Sequence, residues 1–431
     1  MIRSIAAASP FLRDGLTGLT PDRRPGPEKM TITKNTDDQQ QQILLDWTAK
    51  QGRILTDEGK ATEYYCSERG FPFALSELPH YHLERGETHQ VFHRWAAAAT
   101  QSPIVGAWTR PLFIGKWEHS TNNEEIVYNI QTSSLFIDLR IPTCKPVSRW
   151  EKLLGSDSNE HIRSSRQVIE SMSDEDLRLY ARQHAFAGYA VISQEKNNQM
   201  NNLPLCTRHH CIDWNYVSGK PRPRPNKWFI EGKSDGKSPF NVWKEWSYAT
   251  DQNGQCYYWE RWERIDGDDF GKGLRLAMRR KGKRKQVSCK KEDVDAILVA
   301  VGDHFNFIVG RQYNDNAHTR YRDANNTAEL VDSSLQQGDR DTAISYLSSF
   351  GGHGTISSGW KVDCALQSWQ HGLSVFDCLQ CNNEDVKVGS TGDACTSWEV
   401  VIGDDFWEVY ECSLCRDGLQ QLLLSPKKSR L

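Results

Sequence analysis

The stretch Glu124–Pro142 reads EEIVYNIQTSSLFIDLRIP, and its alternation sets the fold class. Side chains of an extended chain point to opposite faces with period two. Leu135, Ile137, Leu139 and Ile141 therefore share one face, and Phe136, Asp138 and Arg140 share the other. A two-residue turn at Ser133-Ser134 sets Thr132 opposite Leu135, and the register follows from there. Ile130 then opposes Ile137, Tyr128 opposes Leu139, Asn129 opposes Asp138, and Val127 opposes Arg140. This is a β-hairpin with one apolar face and one face carrying Gln131, Asn129, Asp138 and Arg140. Such a polar face either lines a cavity, where the ion pair orients a ligand, or lies in solvent as an ordinary surface pair.

Outward from the hairpin, period-two runs bounded by turn signals continue at Trp108–Trp117, Tyr189–Ser193, Cys211–Tyr216, Lys227–Glu231, Val242–Tyr248, Tyr257–Ile265 and Gly273–Met278. Further runs are Val294–Val301, Phe305–Gln312, Gly359–Ser368, Trp398–Ile402 and Phe406–Glu411, with Gly302-Asp303 and Gly403-Asp404 as tight turns. Ser173 and Asp176 form a capping-box variant that starts a helix through Leu177, Tyr180, Ala181 and His184, which the chain leaves at Gly188. Short helices are expected at Thr327–Gln337 and Asp339–Ser348, and Gly351–Gly354 reads as a loop. The whole is mainly β and antiparallel, a closed barrel or a sandwich rather than a parallel sheet.

The chain has 431 residues, enough for two or three domains or one barrel with long appendages. A formal net charge of -3 gives no overall attraction to nucleic acid or membrane. No apolar run approaches the roughly 20 residues needed to span a bilayer. Tryptophan (15) outnumbers methionine (5), so the core is aromatic. Twelve cysteines are too sparse for a disulfide scaffold, which makes an intracellular, cytoplasmic setting the default. Residues 1–36 read as a disordered tail or an organelle transit segment, and residues 37–105 as a helical extension built on Ile43, Leu44, Trp47 and Glu87–Thr100.

Several clusters invite chemistry. Cys378-x-x-Cys381 and Cys412-x-x-Cys415 have the form of a structural zinc site, although the gap between the pairs is longer than usual and a hairpin fills it. Free thiols or redox chemistry are the other readings. Cys206-Thr-Arg-His-His-Cys211 and the histidines at 80, 82, 89 and 93 are weaker ligand sets. The basic run between Lys272 and Lys291, centred on Arg279–Lys285, suits a solvated hairpin tip, phosphate binding or nuclear targeting. In the aromatic strand Tyr257–Arg264, Trp259 falls on one face and Tyr258, Glu260 and Trp262 on the other. No nucleotide-binding loop, dinucleotide fingerprint or serine elbow is present.

The segments Gly115–His119, Ile130–Pro142, Leu179–Gly188, Cys211–Tyr216, Tyr257–Asp266, Val301–Arg311 and Gly359–Trp369 resemble uncharacterised bacterial and fungal proteins with a lipocalin-like (calycin) barrel. A fungal family of casein-kinase-interacting calycin proteins is similar at a greater distance. The resemblance covers residues 106–376, with the basic run as an insertion and residues 377–431 as a β-hairpin tail. It implies an antiparallel barrel that holds a small apolar or amphipathic molecule, or a protein partner, without catalysis. It places Trp117, Gln131, Asp138, Arg140, Asp303 and His304 at the pocket or its rim, beside walls of Trp214 and Trp259. The alternatives are an enzyme using Asp138 or His304 as base, and a zinc-supported interaction scaffold.

Overall fold

The computed structural model describes residues 104–115, 119–121, 125–142, 165–181, 183–193, 203–217, 227–233, 241–248, 254–256, 258–267, 273–283, 294–311, 320–324, 326–379, 387–390, 398–402 and 405–424. The first sheet comprises β1 (Gly106–Gly115), β2 (His119–Thr121), β3 (Glu125–Gln131), β4 (Phe136–Pro142), β5 (His184–Ser193), β6 (Leu205–Asp213), β7 (Lys227–Lys233), β8 (Val242–Ser247) and β9 (Tyr258–Arg264). From β3 to β9 each strand pairs antiparallel with the next, and β1 pairs with both β3 and β9. The sheet therefore closes on itself as a barrel, with β2 held on the far half of β1. Strand β1 serves two neighbours by bending. A register shift between Thr109 and Leu112 brackets Pro111, which has no N–H to give a ladder.

The second sheet comprises β10 (Arg275–Lys283), β11 (Ala296–Val301), β12 (His304–Val309), β13 (Phe350–Thr355), β14 (Lys361–Ala365), β15 (Lys387–Ser390), β16 (Trp398–Ile402) and β17 (Asp405–Cys412). Its order is β14-β13-β12-β11-β10-β17-β16-β15. The helices are α1 (Ser165–Ser171), α2 (Asp174–Tyr180), α3 (Thr327–Gln336), α4 (Arg340–Tyr346), α5 (Val375–Cys378) and α6 (Arg416–Leu424). The central strands of the second sheet are buried on both faces. Leu298, Phe305, Phe307 and Trp407 pack with Trp360, Phe376 and Leu419, while Ile297, Val299 and Ile308 pack on the barrel.

The hairpin joins the two sheets. Its register is Val127↔Arg140, Tyr128↔Leu139, Asn129↔Asp138 and Ile130↔Ile137, closed by Thr132 N–H donating to Leu135 O at 2.9 Å. The apolar face, with Ile130, Ile137 and Leu139, lies in one cluster with Ala277, Ile297, Val299, Ile308 and Tyr410 of the second sheet. Polar contacts fix the docking. Asn306, fully buried, donates from Nδ2 to Tyr128 O (3.0 Å) and Ile137 O (3.1 Å). Its Oδ1 accepts from His353 Nδ1 at 2.9 Å, and the His353 ring stacks on Tyr128 with centroids 3.7 Å apart. At the turn, Ser133 N–H donates to the Glu411 carboxylate at 2.9 Å.

The structure departs from the sequence expectations at definite places. Strands assigned to one barrel over 106–376 divide between two sheets after Arg264. The carboxy-terminal hairpin is integral, because β17 pairs with β10 and places β16 and β15 in the second sheet. Helix α2 has the capping box at Ser173 but ends at Tyr180, and His184 already pairs with Arg140 in β5. Gly351–Gly354 is strand rather than loop. A Cβ on Gly354 would lie 1.9 Å from Lys361 O, so only glycine lets β13 and β14 approach. Gly302 turns the β11–β12 hairpin at φ 60°, as expected for that pair. The helical extension through residue 103, the tail at 1–36 and the four amino-terminal histidines lie outside the described residues.

Asn306→Leu should destabilise the chain by about 2–3 kcal/mol, because it leaves two buried carbonyls without a donor. Urea unfolding followed by tryptophan fluorescence measures this, and an unchanged midpoint would remove Asn306 from the docking.

Candidate functional site

Contacts between strands that are not neighbours in a closed sheet can only be made through its interior. Arg208 on β6 donates to Asp138 on β4 at 3.2 Å, and Arg140 on β4 reaches Glu260 on β9 at 3.7 Å. The hairpin's polar face therefore points into the barrel. Asp138 is 0% exposed, Arg140 3% and Asn129 1%. The contacts extend into one chain of charge. Arg110 Nη1 donates to Glu260 Oε1 (2.7 Å), Arg140 Nε to Asp138 Oδ1 (3.0 Å), and Asn129 Nδ2 and Arg208 Nη1 both to Asp138 Oδ2 (3.2 Å). Three guanidinium groups thus meet two paired carboxylates.

Alternation supplies the rest of the interior. Trp228 on β7, Trp243 on β8 and Trp262 on β9 form a ring stack, with the Trp243 centroid 5.3 Å from Trp228 and 5.6 Å from Trp262, and Trp108 on β1 meets Trp243 edge-on at 5.9 Å. The Arg208 guanidinium lies 4.4 Å from the Phe136 ring centre and 5.0 Å from that of Trp228. Glu245 on β8 stands directly across from Glu260 and accepts from the Tyr258 hydroxyl at 3.0 Å. Deeper along β5 and β6, His210 Nδ1 lies 2.6 Å from Asp213 and its ring stacks on Phe186.

Burial and charge divide the titratable groups. Burial alone would raise the Asp138 carboxyl, but Arg140, Arg208 and His184 hold it below its ordinary range. Burial, then the neighbouring Glu260 charge, push Glu245 up to about 8. Burial and Arg140 push His184 down to about 3, so its ring is neutral at pH 7. Among the described residues, Arg208 Nε and Nη2, the indole N–H groups of Trp228, Trp243 and Trp262, and the oxygens Asn129 Oδ1, Glu245 Oε2 and Glu260 Oε2 meet no hydrogen-bond partner. Orphaned donors at this burial are costly unless a further group meets them.

Of the residues singled out in the sequence, Gln131, Asp138 and Arg140 come together on the inward face. Trp259 alternates to the barrel's outer surface, where Lys244 Nζ lies 4.2 Å from its ring centre. Trp214 packs on Tyr180 with its indole donating to Ala181 O, outside the barrel. Asp303 sits at the exposed tip of the β11–β12 hairpin and accepts from Ser357 N–H at 2.7 Å. His304 lies between the sheets, stacked on His353 with Nε2 donating to Ile265 O. Trp117 lies outside the described residues. The residues that reading passed over are Arg110, Arg208, Glu245 and Glu260. Arg208 was hidden inside the Cys206–Cys211 segment, where alternation turns Cys206 inward and Cys211 outward, so the segment cannot be a ligand set.

Three of the four paired cysteines are described. Cys378 is buried in α5 with its thiol pushed up to about 12 by burial, Cys412 is half-buried, Cys415 is exposed, and Cys381 lies outside the described residues. Among the described residues no group of three His, Cys, Asp or Glu side chains is placed to hold a metal. Of the basic run, Arg279 is buried on Asp295 and Arg280 pairs with Asp405, so neither is free for phosphate. Among the described residues no helix is long and apolar enough to cross a membrane.

No protein-family model matches the sequence, and no curated protein matches it. Among solved structures, an uncharacterised protein of Saccharomyces cerevisiae is similar at 13% identity and a TM-score of 0.37, over 72% of this chain and 98% of that one. That similarity is too low to carry a fold or a function from one to the other.

Two outcomes follow from these charges. Asp138→Asn should cost about 3–5 kcal/mol in urea unfolding, because it takes from Arg208 its carboxylate partner inside the barrel; a loss below the error of the method would place these charges in solvent. Glu245 keeps its proton in the folded chain up to about pH 8 but loses it near 4.5 when unfolded. Its folded form binds more protons across that window, so stability falls as pH rises from 4.5 through about 8 and then levels. The wild type should therefore lose stability relative to Glu245→Gln over that range, by at most about 1.4 kcal/mol per pH unit. Parallel curves for the two proteins would contradict it.

Proposed function

We propose that this chain is a binding protein of calycin type, which holds a small amphipathic molecule inside the barrel and does not catalyse its conversion. The observation that carries the reading is Arg208, 2% exposed and walled by Phe136 and Trp228, with two of its donors unmet. A ring stack beside a buried guanidinium offers apolar contact area together with one polar anchor, as an amphipathic ligand requires. Asp138 and Arg140 orient Arg208, and Gln131 stands near the hairpin end of the same face. These atoms are sealed from water, so a molecule reaches them only when a ring of the stack turns aside. The resemblance of residues 106–376 to lipocalin-like proteins supports the same reading.

An enzyme in the same space draws less support. Asp138 accepts from three donors and is held ionised by two arginines, which makes it a poor base. His304 faces the sheet interface rather than the barrel.

Native mass spectrometry of the chain purified from cells tests the proposal. A bound mass should accompany the wild type and be lost in Arg140→Ala and in the milder Arg208→Gln, each checked for its fold by near-ultraviolet circular dichroism. Absence of any bound mass in the wild type, or its retention in both folded variants, would remove the site.

A further inference from the structure

The described cysteines differ in what can reach them. Cys206, Cys211, Cys256 and Cys378 are buried, and Cys364 is half-buried on β14. Cys412 is half-buried and Cys415 exposed, and among the described cysteines these two alone stand three residues apart. They bracket the corner at which β17 gives way to α6. Cys412 ends β17 opposite Leu276, and Cys415 O accepts the Leu419 N–H in the first turn of α6. Between them the chain bends at Ser413 and Leu414. Ser413 fixes the bend to β10, donating from N–H to Arg275 O at 2.9 Å and accepting the Arg275 N–H on Oγ at 2.9 Å. Helix α6 is held by Arg416 Nε on Val388 O at 2.8 Å and by buried Leu419 and Leu423. Four residues that turn bring their end Cα atoms within about 7 Å, a span that a disulfide bridges. We propose that Cys412 and Cys415 form a thiol-oxidation site, converted between dithiol and disulfide by exchange with a small disulfide of the glutathione class.

Exposure sets the order of events. Cys415 meets the solvent, and Gly418 in the first turn of α6 lays no side chain over its sulfur, where a Cβ would stand 3.5 Å away. Burial raises the Cys412 thiol, with Glu411 and Cys415 adding to it against the Leu414 N–H, so Cys412 does not start the exchange. The Cys415 thiolate attacks one sulfur of glutathione disulfide. That S–S bond breaks, a Cys415–glutathione bond forms, and one glutathione leaves as thiolate. Cys412 then gives up its proton and attacks the Cys415 sulfur, forming the Cys412–Cys415 bond and releasing the second glutathione. Two cysteine thiols are thereby oxidised by two electrons, and glutathione disulfide is reduced to two thiols that take up the two cysteine protons. The product ties the end of β17 covalently to the start of α6.

The folded full chain, incubated with excess glutathione disulfide, alkylated with iodoacetamide and cleaved after Glu411, tests the site, because residues 412–431 carry no other cysteine. That peptide should lack two hydrogens and carry neither an alkyl group nor glutathione. Dithiothreitol should restore both alkylation sites. Cys412→Ser should halt with glutathione on Cys415, and Cys415→Ser should slow loss of the Cys412 thiol by roughly tenfold or more. Tryptophan fluorescence, recorded alongside, follows the fold. Two alkylated cysteines in the wild type, glutathione persisting on its Cys415, or a disulfide that forms only as the fluorescence reports unfolding would each overturn the proposal.

Discussion

Everything in the barrel depends on the ion pairing of Asp138. A carboxylate that is fully buried has to be met by donors or else give up its charge. Asp138 is met three times, by Arg140 on its own strand, by Asn129 on the paired strand, and by Arg208 from across the interior. The last contact ties β4 to β6 through the space they enclose, and Arg140 and Arg110 extend the tie to Glu260 on β9. A slip of β4 by one residue would turn Asp138 and Arg140 onto the second sheet and carry Ile137 and Leu139 inward. The ionic chain and the apolar contact with the second sheet thus hold the same register from opposite faces.

The two faces of one hairpin also explain the division of labour between the sheets. The outer face is used for docking, with Asn306, Ser133 and Glu411 satisfying the polar groups that the contact covers. The inner face is left to charge and aromatic rings.

Much of the local structure was legible in the sequence. The hairpin register, the turn at Gly302-Asp303, the helix start at Ser173 and the strand Trp398–Ile402 all follow from alternation, turn chemistry and capping. What lay outside the reach of such reasoning is long-range. That β17 pairs with β10, and that the barrel closes between β1 and β9, are contacts between distant parts of the chain that no local pattern encodes. The start of β5, before Gly188, reads as the end of a helix because a capped start precedes leucine and alanine, yet its pairing with β4 overrides that preference, while Tyr189–Ser193 reads as strand. Alternation put Glu260 and Trp262 on a different face from Trp259, but without knowing which face turned inward the choice fell on Trp259. Arg208 was missed because its neighbours were cysteine and histidine and drew attention to metal. The useful signal there was again period two, which sets Cys206, Arg208 and His210 on one side.

Asp138 and Arg208 face one another inside the barrel. A double-mutant cycle on unfolding free energy, combining Asp138→Asn with Arg208→Gln, measures that contact most directly. Paired burial predicts a coupling of about 1.5–3 kcal/mol between the two sites. Additivity to within about 0.5 kcal/mol would contradict it.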